Sequence, residues 1–248
     1  MSEVTVEVMQ VRARREPPLM AMPLPNRLAA EAIGAALLVF FGPGSAVISA
    51  YRGDAISLEG IAAANGIIIM VLIYAVGHVS GAHFNPAVTL AFTLTRHFHK
   101  RDVVPYWLAQ CAGAIVGAAL LWAFFGDAID SAVTAPTVSD ASGFGVEVVL
   151  TFLLMFVIMA VATDTRAVGQ AAALAIGATV GMDVLLGGPI TSGSMNPARS
   201  LGPAVVAGEL SDLWLYLIAP PLGAVLGAFA YTFVRGDTAP SPSGKEPG

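Results

Sequence analysis

Six apolar runs, each about as long as a lipid bilayer is thick, dominate this sequence: Leu28–Ala50, Ile61–Val79, Val103–Phe125, Phe144–Ala162, Val168–Leu186 and Leu213–Val234. A helix needs roughly 20 mostly apolar residues to cross the hydrocarbon core. Six such runs in 248 residues leave little chain for anything else. Only 12% of the residues are charged and 56% are hydrophobic, against about 25% charged in ordinary soluble domains. A water-soluble fold would leave too much apolar surface for one core. The sequence therefore predicts an all-α membrane protein whose main partner is the lipid bilayer. A net charge of −5 on such a chain carries no nucleic-acid signature. Cys111 is the only cysteine, so no intrachain disulfide can form.

Residues 1–26 read as a polar, Arg- and Pro-rich cytoplasmic tail, with no cleavable signal peptide. Residues 236–248 read as a disordered Pro/Ser/Gly-rich tail. One membrane domain is expected over 27–235. Its orientation follows from the excess of Lys and Arg in cytoplasmic loops. Arg12, Arg14, Arg15, Arg27, Arg96, Lys100, Arg101, Arg166, Arg235 and Lys245 fall on one side if the six spans alternate. The other side carries Arg52 and an acidic loop with Asp127, Asp130 and Asp140. Both termini are then cytoplasmic, and a plasma (inner) membrane is the expected location.

The chain also repeats itself. Glu31-Ala-Ile-Gly, Gly-Ala-His-Phe-Asn85-Pro86-Ala87-Val and Gly113-Ala-Ile-Val-Gly-Ala recur in order as Glu147-Val-Val-Leu, Gly-Ser-Met-Asn196-Pro197-Ala198-Arg and Gly223-Ala-Val-Leu-Gly-Ala. The two asparagines lie about 111 residues apart. The halves, about 27–126 and 144–235, each hold three spans and so must have opposite topology. Inverted repeats with broken helices meeting at mid-membrane are a transport architecture.

Each Asn-Pro-Ala reads as the start of a short helix, since Asn is a good N-cap and Pro suits the first turn. Each follows a Gly/Ser-rich stretch, Gly77–Gly81 or Gly187–Ser194, expected to be a turn. Non-helical backbone at membrane depth is tolerated only where it is buried in protein or lines a watery cavity. Two re-entrant half helices therefore predict a pore. Their positive dipole ends would face each other at Asn85 and Asn196, repelling cations and orienting a central water so that a proton wire is broken. One Asn-Pro-Ala alone would be a simple helix cap; two in mirrored apolar contexts are not explained that way.

Among ionisable groups in the spans, Glu31 and Glu147 are mirrored and suit a scaffold role, accepting hydrogen bonds from the two loops. His78 and His83 are expected to support the first loop or narrow its pore mouth; too few ligands surround them for a metal. Gly113, Gly117, Gly223 and Gly227 mark close helix packing.

Ser80-Gly-Ala-His-Phe-Asn-Pro-Ala-Val-Thr-Leu and Ser194-Met-Asn-Pro-Ala-Arg-Ser-Leu-Gly-Pro resemble the signature loops of the aquaporin, or major intrinsic protein, family over about residues 27–235. Ala162-Thr-Asp-Thr-Arg-Ala-Val-Gly and Gly188-Pro-Ile-Thr-Ser-Gly-Ser-Met-Asn resemble its nodulin-like branch, known for passing glycerol and metalloid hydroxides. The resemblance implies a homotetramer with one pore per subunit and no cofactor. It also implies a four-residue constriction, carried over here to Asn65, Val184, Gly193 and Arg199. Water-selective members usually have an aromatic residue and a histidine at the first two positions. The smaller residues here imply a wider opening. Ser200 departs from the Asp of glycerol facilitators, and Tyr216 and Leu217 stand where water channels carry bulkier aromatics. A water-selective aquaporin is the nearest alternative. An ion-coupled secondary transporter would need carboxylates for its ion, and only Glu31, Glu147 and Asp183 are candidates. No nucleophile–base constellation suggests an enzyme.

Overall fold

The computed structural model describes residues 22–163 and 171–236. Residues 1–21 and 237–248 of the expected tails, with Arg12, Arg14, Arg15 and Lys245, and most of the Ala162–Gly169 stretch, with Arg166, lie outside the described residues, while Leu24–Asn26, expected as tail, already belong to the first helix. The helices are α1 (Leu24–Tyr51), α2 (Leu58–Ser80), α3 (Pro86–Leu94), α4 (Val103–Phe125), α5 (Asp140–Thr163), α6 (Ala172–Thr191), α7 (Pro197–Ala207) and α8 (Leu213–Arg235). Six are long and apolar enough to cross a membrane. The other two, α3 with 9 residues and α7 with 11, rise only about 14–17 Å at 1.5 Å per residue, half a hydrocarbon core.

Lipid is as apolar as leucine, so close packing rather than hydrophobic burial must hold such helices together. Glycine makes that possible where two backbones meet. At the α2–α6 crossing, a Cβ on Gly66 would lie 2.5 Å from the Gly177 carbonyl oxygen, and a Cβ on Gly177 would lie 2.6 Å from that of Gly66. The paired glycines of α4 (Gly113, Gly117) press on α1 carbonyls, and those of α8 (Gly223, Gly227) on α5 carbonyls. The two halves thus use the same contact twice. Ile33, Phe41, Leu108, Val149, Leu186 and Phe233 are exposed on the outside of the helix bundle.

One anchor belongs to the first half. Arg27 donates to Asp102 at 2.8 Å with both side chains buried, and its guanidinium lies 5.7 Å from the Tyr106 ring centre. This ties the start of α1 to the start of α4.

Two expected turns are helical. Gly77–Ser80 completes α2, and the break comes at Gly81, whose left-handed backbone (φ 91°) returns its N–H to the Gly77 carbonyl at 2.9 Å. Likewise α6 continues past Leu186 through Gly187-Gly188-Pro189 and ends at Thr191, capped by left-handed Ser192. The reason is packing. Gly187 sits under the Leu150 side chain and 3.3 Å, measured from an added Cβ, from the Gly193 backbone. Its missing side chain serves contact, not a turn. Pro189 falls in the last turn of α6.

Candidate pore and its constriction

After α2 and after α6 the chain turns back through a few residues with no helical hydrogen bonds. Their backbones match position by position. Gly81, Ala82 and Phe84 have φ of 91°, 50° and 49°; Ser192, Gly193 and Met195 have 62°, 54° and 54°. Left-handed backbone costs a non-glycine residue about 1–2 kcal/mol, so something must hold it there. Glu31 accepts from the backbone N–H of His83 at 3.0 Å and of Phe84 at 2.7 Å. It also accepts from Ser80 Oγ at 2.6 Å and Gln110 Nε2 at 2.8 Å. Glu147 accepts from the N–H groups of Ser194 and Met195, both at 2.8 Å, and from Thr191 Oγ1 at 2.8 Å. Tyr106 and Tyr216 donate their hydroxyls to the last carbonyls of α2 and α6, at Ser80 (2.8 Å) and Thr191 (2.9 Å).

The two loops then lock each other. Asn85 Oδ1 accepts the Ala87 N–H at 2.9 Å, capping α3, while Nδ2 donates to the Met195 carbonyl at 2.8 Å. Asn196 Oδ1 accepts from Ala198 at 3.0 Å and Arg199 at 3.2 Å, capping α7, while Nδ2 donates to the Phe84 carbonyl at 2.9 Å. A carboxamide nitrogen has two N–H donors. Each asparagine spends one on the opposite loop and keeps one, and both side chains line a common cavity.

That cavity is about 140 Å³ in volume. Its wall includes Asn65, Val184, Gly193 and Arg199 together with both asparagines, His83, and an apolar side that includes Ile69, Ile73, Ile176 and Val180. Arg199 is buried, and its Nη1 donates to the Ala132 carbonyl at 2.8 Å. Asn65 turns Nδ2 back to the Ile61 carbonyl at 2.8 Å. At Gly193 a side chain would be strained by the positive φ and crowded, its Cβ 3.2 Å from Val184 Cα.

His83 and His78 part company. His83 lies in the first loop, 3.0 Å through Nδ1 from Thr89 Oγ1, with its ring among Phe92, Phe98 and Tyr106. His78, expected in the same loop, stands instead on the last turn of α2. It is exposed there and makes no hydrogen bond to the loop among the described residues. The longer α2 is the cause. Ser200 is buried with its Oγ 2.5 Å from Ser194 Oγ. Tyr216 is buried against the α6 terminus, whereas Leu217 is 44% exposed, so neither lines the cavity. Asp183 is buried behind Val184 and its Oδ2 has no partner among the described residues; it too lies off the cavity wall. Among the described residues no His, Cys, Asp and Glu cluster could hold a metal.

The sequence did not single out Thr89, Tyr106 or Ala132. The tyrosines were within reach of the repeat, since each stands seven residues before its Gly-xxx-Gly pair, at Gly113 and Gly223. Ala132 offers only a carbonyl and has no side-chain signal.

Residues 20–231 match the family model for major intrinsic proteins. The chain belongs to that family. Within it, the chain is similar over most of its length to members of the nodulin-like branch. Nodulin-26 of Glycine max is 46% identical over 223 residues, covering 90% of this chain and 82% of that protein. Aquaporin NIP1-1 of Zea mays is 45% identical, covering 88% and 77%. Aquaporin NIP6-1 of Arabidopsis thaliana is 44% identical, covering 90% and 74%. Among solved structures, the aquaglyceroporin from Plasmodium falciparum superposes with a TM-score of 0.73 at 24% identity, covering 84% of this chain and 96% of that one, and shows the shared fold. As a nodulin-like major intrinsic protein the chain is an integral, multi-pass membrane channel for small solutes and water, not an enzyme.

Proposed function

We propose that this channel passes glycerol and metalloid hydroxides such as arsenous, boric or silicic acid along with water, and excludes protons and ions. The observation that carries the reading is the makeup of the cavity wall at the four positions that the resemblance assigns to the filter. Arg199 is its one charged group, Asn65 adds a carboxamide, Val184 is small, and Gly193 contributes backbone alone. Arg199 and Asn65 offer donors and an acceptor to a polyhydroxyl solute, while the apolar side accepts its carbon face. A strict water filter needs bulk that these positions lack.

Proton exclusion rests on Asn85 and Asn196. Their free N–H donors and the positive ends of α3 and α7 hold a passing water with its oxygen toward both. Such a water can donate to its neighbours along the pore but cannot accept from them, so hydronium relay stops. Pro86, Ala87, Pro197 and Ala198 keep the two helix starts compact around that point. Glu31, Glu147 and His83 hold the loops in place; His78 is left out of this role by its position on α2.

The channel domain is taken as residues 27–235, with both termini cytoplasmic in a plasma membrane and four copies assembling, one pore in each. The excess of Lys and Arg on one side supports the orientation, and closed symmetric assembly is common.

Stopped-flow light scattering on proteoliposomes tests the solute claim. Inward gradients of glycerol or arsenous acid should give shrinkage followed by fast re-swelling. Shrinkage with no solute entry would make this a water-selective channel. Solute flux that depends on an ion gradient would make it a coupled transporter.

A further inference from the structure

A helix ends with four carbonyls that lack partners inside it. In α6 these are Gly188, Pro189, Ile190 and Thr191, and all four are satisfied. Gly188 accepts the N–H of the cap residue Ser192 at 3.1 Å, and Thr191 accepts the Tyr216 hydroxyl at 2.9 Å. The two between them are taken by one residue from the loop before α5. Thr137 donates its N–H to the Ile190 carbonyl at 2.9 Å and its hydroxyl to the Pro189 carbonyl at 2.9 Å. Ala135, two residues earlier, is tied to the same helix end. Its N–H donates to Ser192 Oγ at 3.3 Å, and Ser192 Oγ lies 3.4 Å from its carbonyl. Thr137, Ala135 and Ser192 thus form a clasp between this loop and the tip of α6.

Thr137 is exposed, so water could serve the same carbonyls and the fold does not require the clasp. Its use lies three residues upstream of Ala135. Ala132 ends the 3-10 turn Gly126–Ala132, and its carbonyl accepts from Arg199 Nη1 at 2.8 Å. Among the described residues this is the one hydrogen bond made by the Arg199 side chain. The carbonyl is fixed from two directions. On one side Ile129, in the same turn, is buried. On the other side the chain leaves extended at Val133, with φ −66° and ψ 136°, and reaches the clasp at Ala135. So short a stretch of extended chain passes the position of the clasp directly to the Ala132 carbonyl.

We propose that Thr137 and Ser192 are positioning residues for solute choice, holding the Ala132 carbonyl where it draws the Arg199 guanidinium back to the cavity wall. The inference rests on the reading that Arg199 belongs to the constriction. With the clasp undone, the guanidinium loses its acceptor at the wall and swings across the opening. There it obstructs a polyol more than it obstructs water. Neither Thr137 nor Ser192 lines the cavity, so the effect must run through Arg199.

Stopped-flow permeability to glycerol and to water, in proteoliposomes of the full chain, tests this as a double-mutant cycle. Thr137→Val removes the hydroxyl and keeps the shape, and Ser192→Gly suits the left-handed backbone. Together they should lower the glycerol-to-water ratio about fivefold, the scale of one hydrogen bond, with thermal unfolding close to wild type. In an Arg199→Ala background the same pair should leave the ratio where Arg199→Ala alone puts it. Thr137→Ser keeps the hydroxyl and should behave as wild type. If the pair leaves the ratio unchanged while Arg199→Ala shifts it, the clasp is overturned and the filter reading stands. An Arg199→Ala ratio equal to wild type overturns both. A fall that persists in the Arg199→Ala background shows that the pair acts elsewhere, and also overturns the inference. Should wild type pass water alone, the solute reading fails, and the cycle is read on water permeability with the same expected pattern. If the double variant does not fold, Thr137→Val alone carries the test, because its N–H to Ile190 remains.

Discussion

The two re-entrant loops are copies that have diverged around a fixed backbone. Both run through three left-handed residues, both hang from one buried glutamate, and each lends its asparagine to the other. Their differences fall where their tasks differ. The first loop is the more heavily braced: Glu31 takes four hydrogen bonds, His83 and Gln110 both reach Thr89, and the Arg27–Asp102 pair closes the helix start nearby. The second replaces those long side chains with a Ser194–Ser200 hydroxyl pair and places its charge, Arg199, on the cavity wall. One half is scaffolding with bulk; the other gives its space to the solute.

The largest effect should come from the glutamates, where the halves are alike. Glu31→Ala or Glu147→Ala strands at least two buried backbone N–H groups, each costing about 1–3 kcal/mol. Neither variant should yield monodisperse protein on size-exclusion chromatography, and normal yield from either would remove the shared basis of the comparison. Next is Asp102→Ala, which leaves Arg27 buried without its carboxylate and should cost about 3–5 kcal/mol. Its thermal unfolding in detergent should fall well below that of Asp212→Ala, since Asp212 holds the mirrored place before α8 with no mirrored arginine.

Gly193→Ala sharpens the contrast further. The matching residue of the first loop is Ala82, which bears a Cβ at φ 50°. The strain of about 1–2 kcal/mol is therefore tolerable, and the variant should fold. Its new methyl would crowd Val184 Cα at 3.2 Å. Glycerol flux should drop several-fold with water flux less affected; equal losses of both would assign Gly193 to the turn alone. Smallest is Ser200→Ala, which removes one buried hydroxyl pair and should cost about 1 kcal/mol in thermal unfolding, with solute selectivity unchanged.

Much of this was readable in advance because it lies in side-chain type and spacing. The spans, the half helices at Asn85 and Asn196, and the mirrored Glu31 and Glu147 all leave such a trace. What was not readable lies in the backbone. The sequence shows Gly187-Gly188-Pro189 but not that Leu150 lies over the first glycine, so a turn was expected where a helix continues. The same uncertainty of helix end put His78 in the loop. Arg199 is visible as a charge, yet its Ala132 partner is a carbonyl 67 residues away. Phe84 and Met195 give no hint that they are left-handed; only the glutamate that pays for it does.

The most direct measurement is the paired water and glycerol permeability of Asn65→Phe, Val184→His in proteoliposomes by stopped flow. If these two residues and Arg199 set the opening, water flux should persist while glycerol flux falls by at least about tenfold, a barrier of roughly 1.4 kcal/mol or more. Glycerol flux equal to wild type, with the protein folded and water still passing, would contradict it.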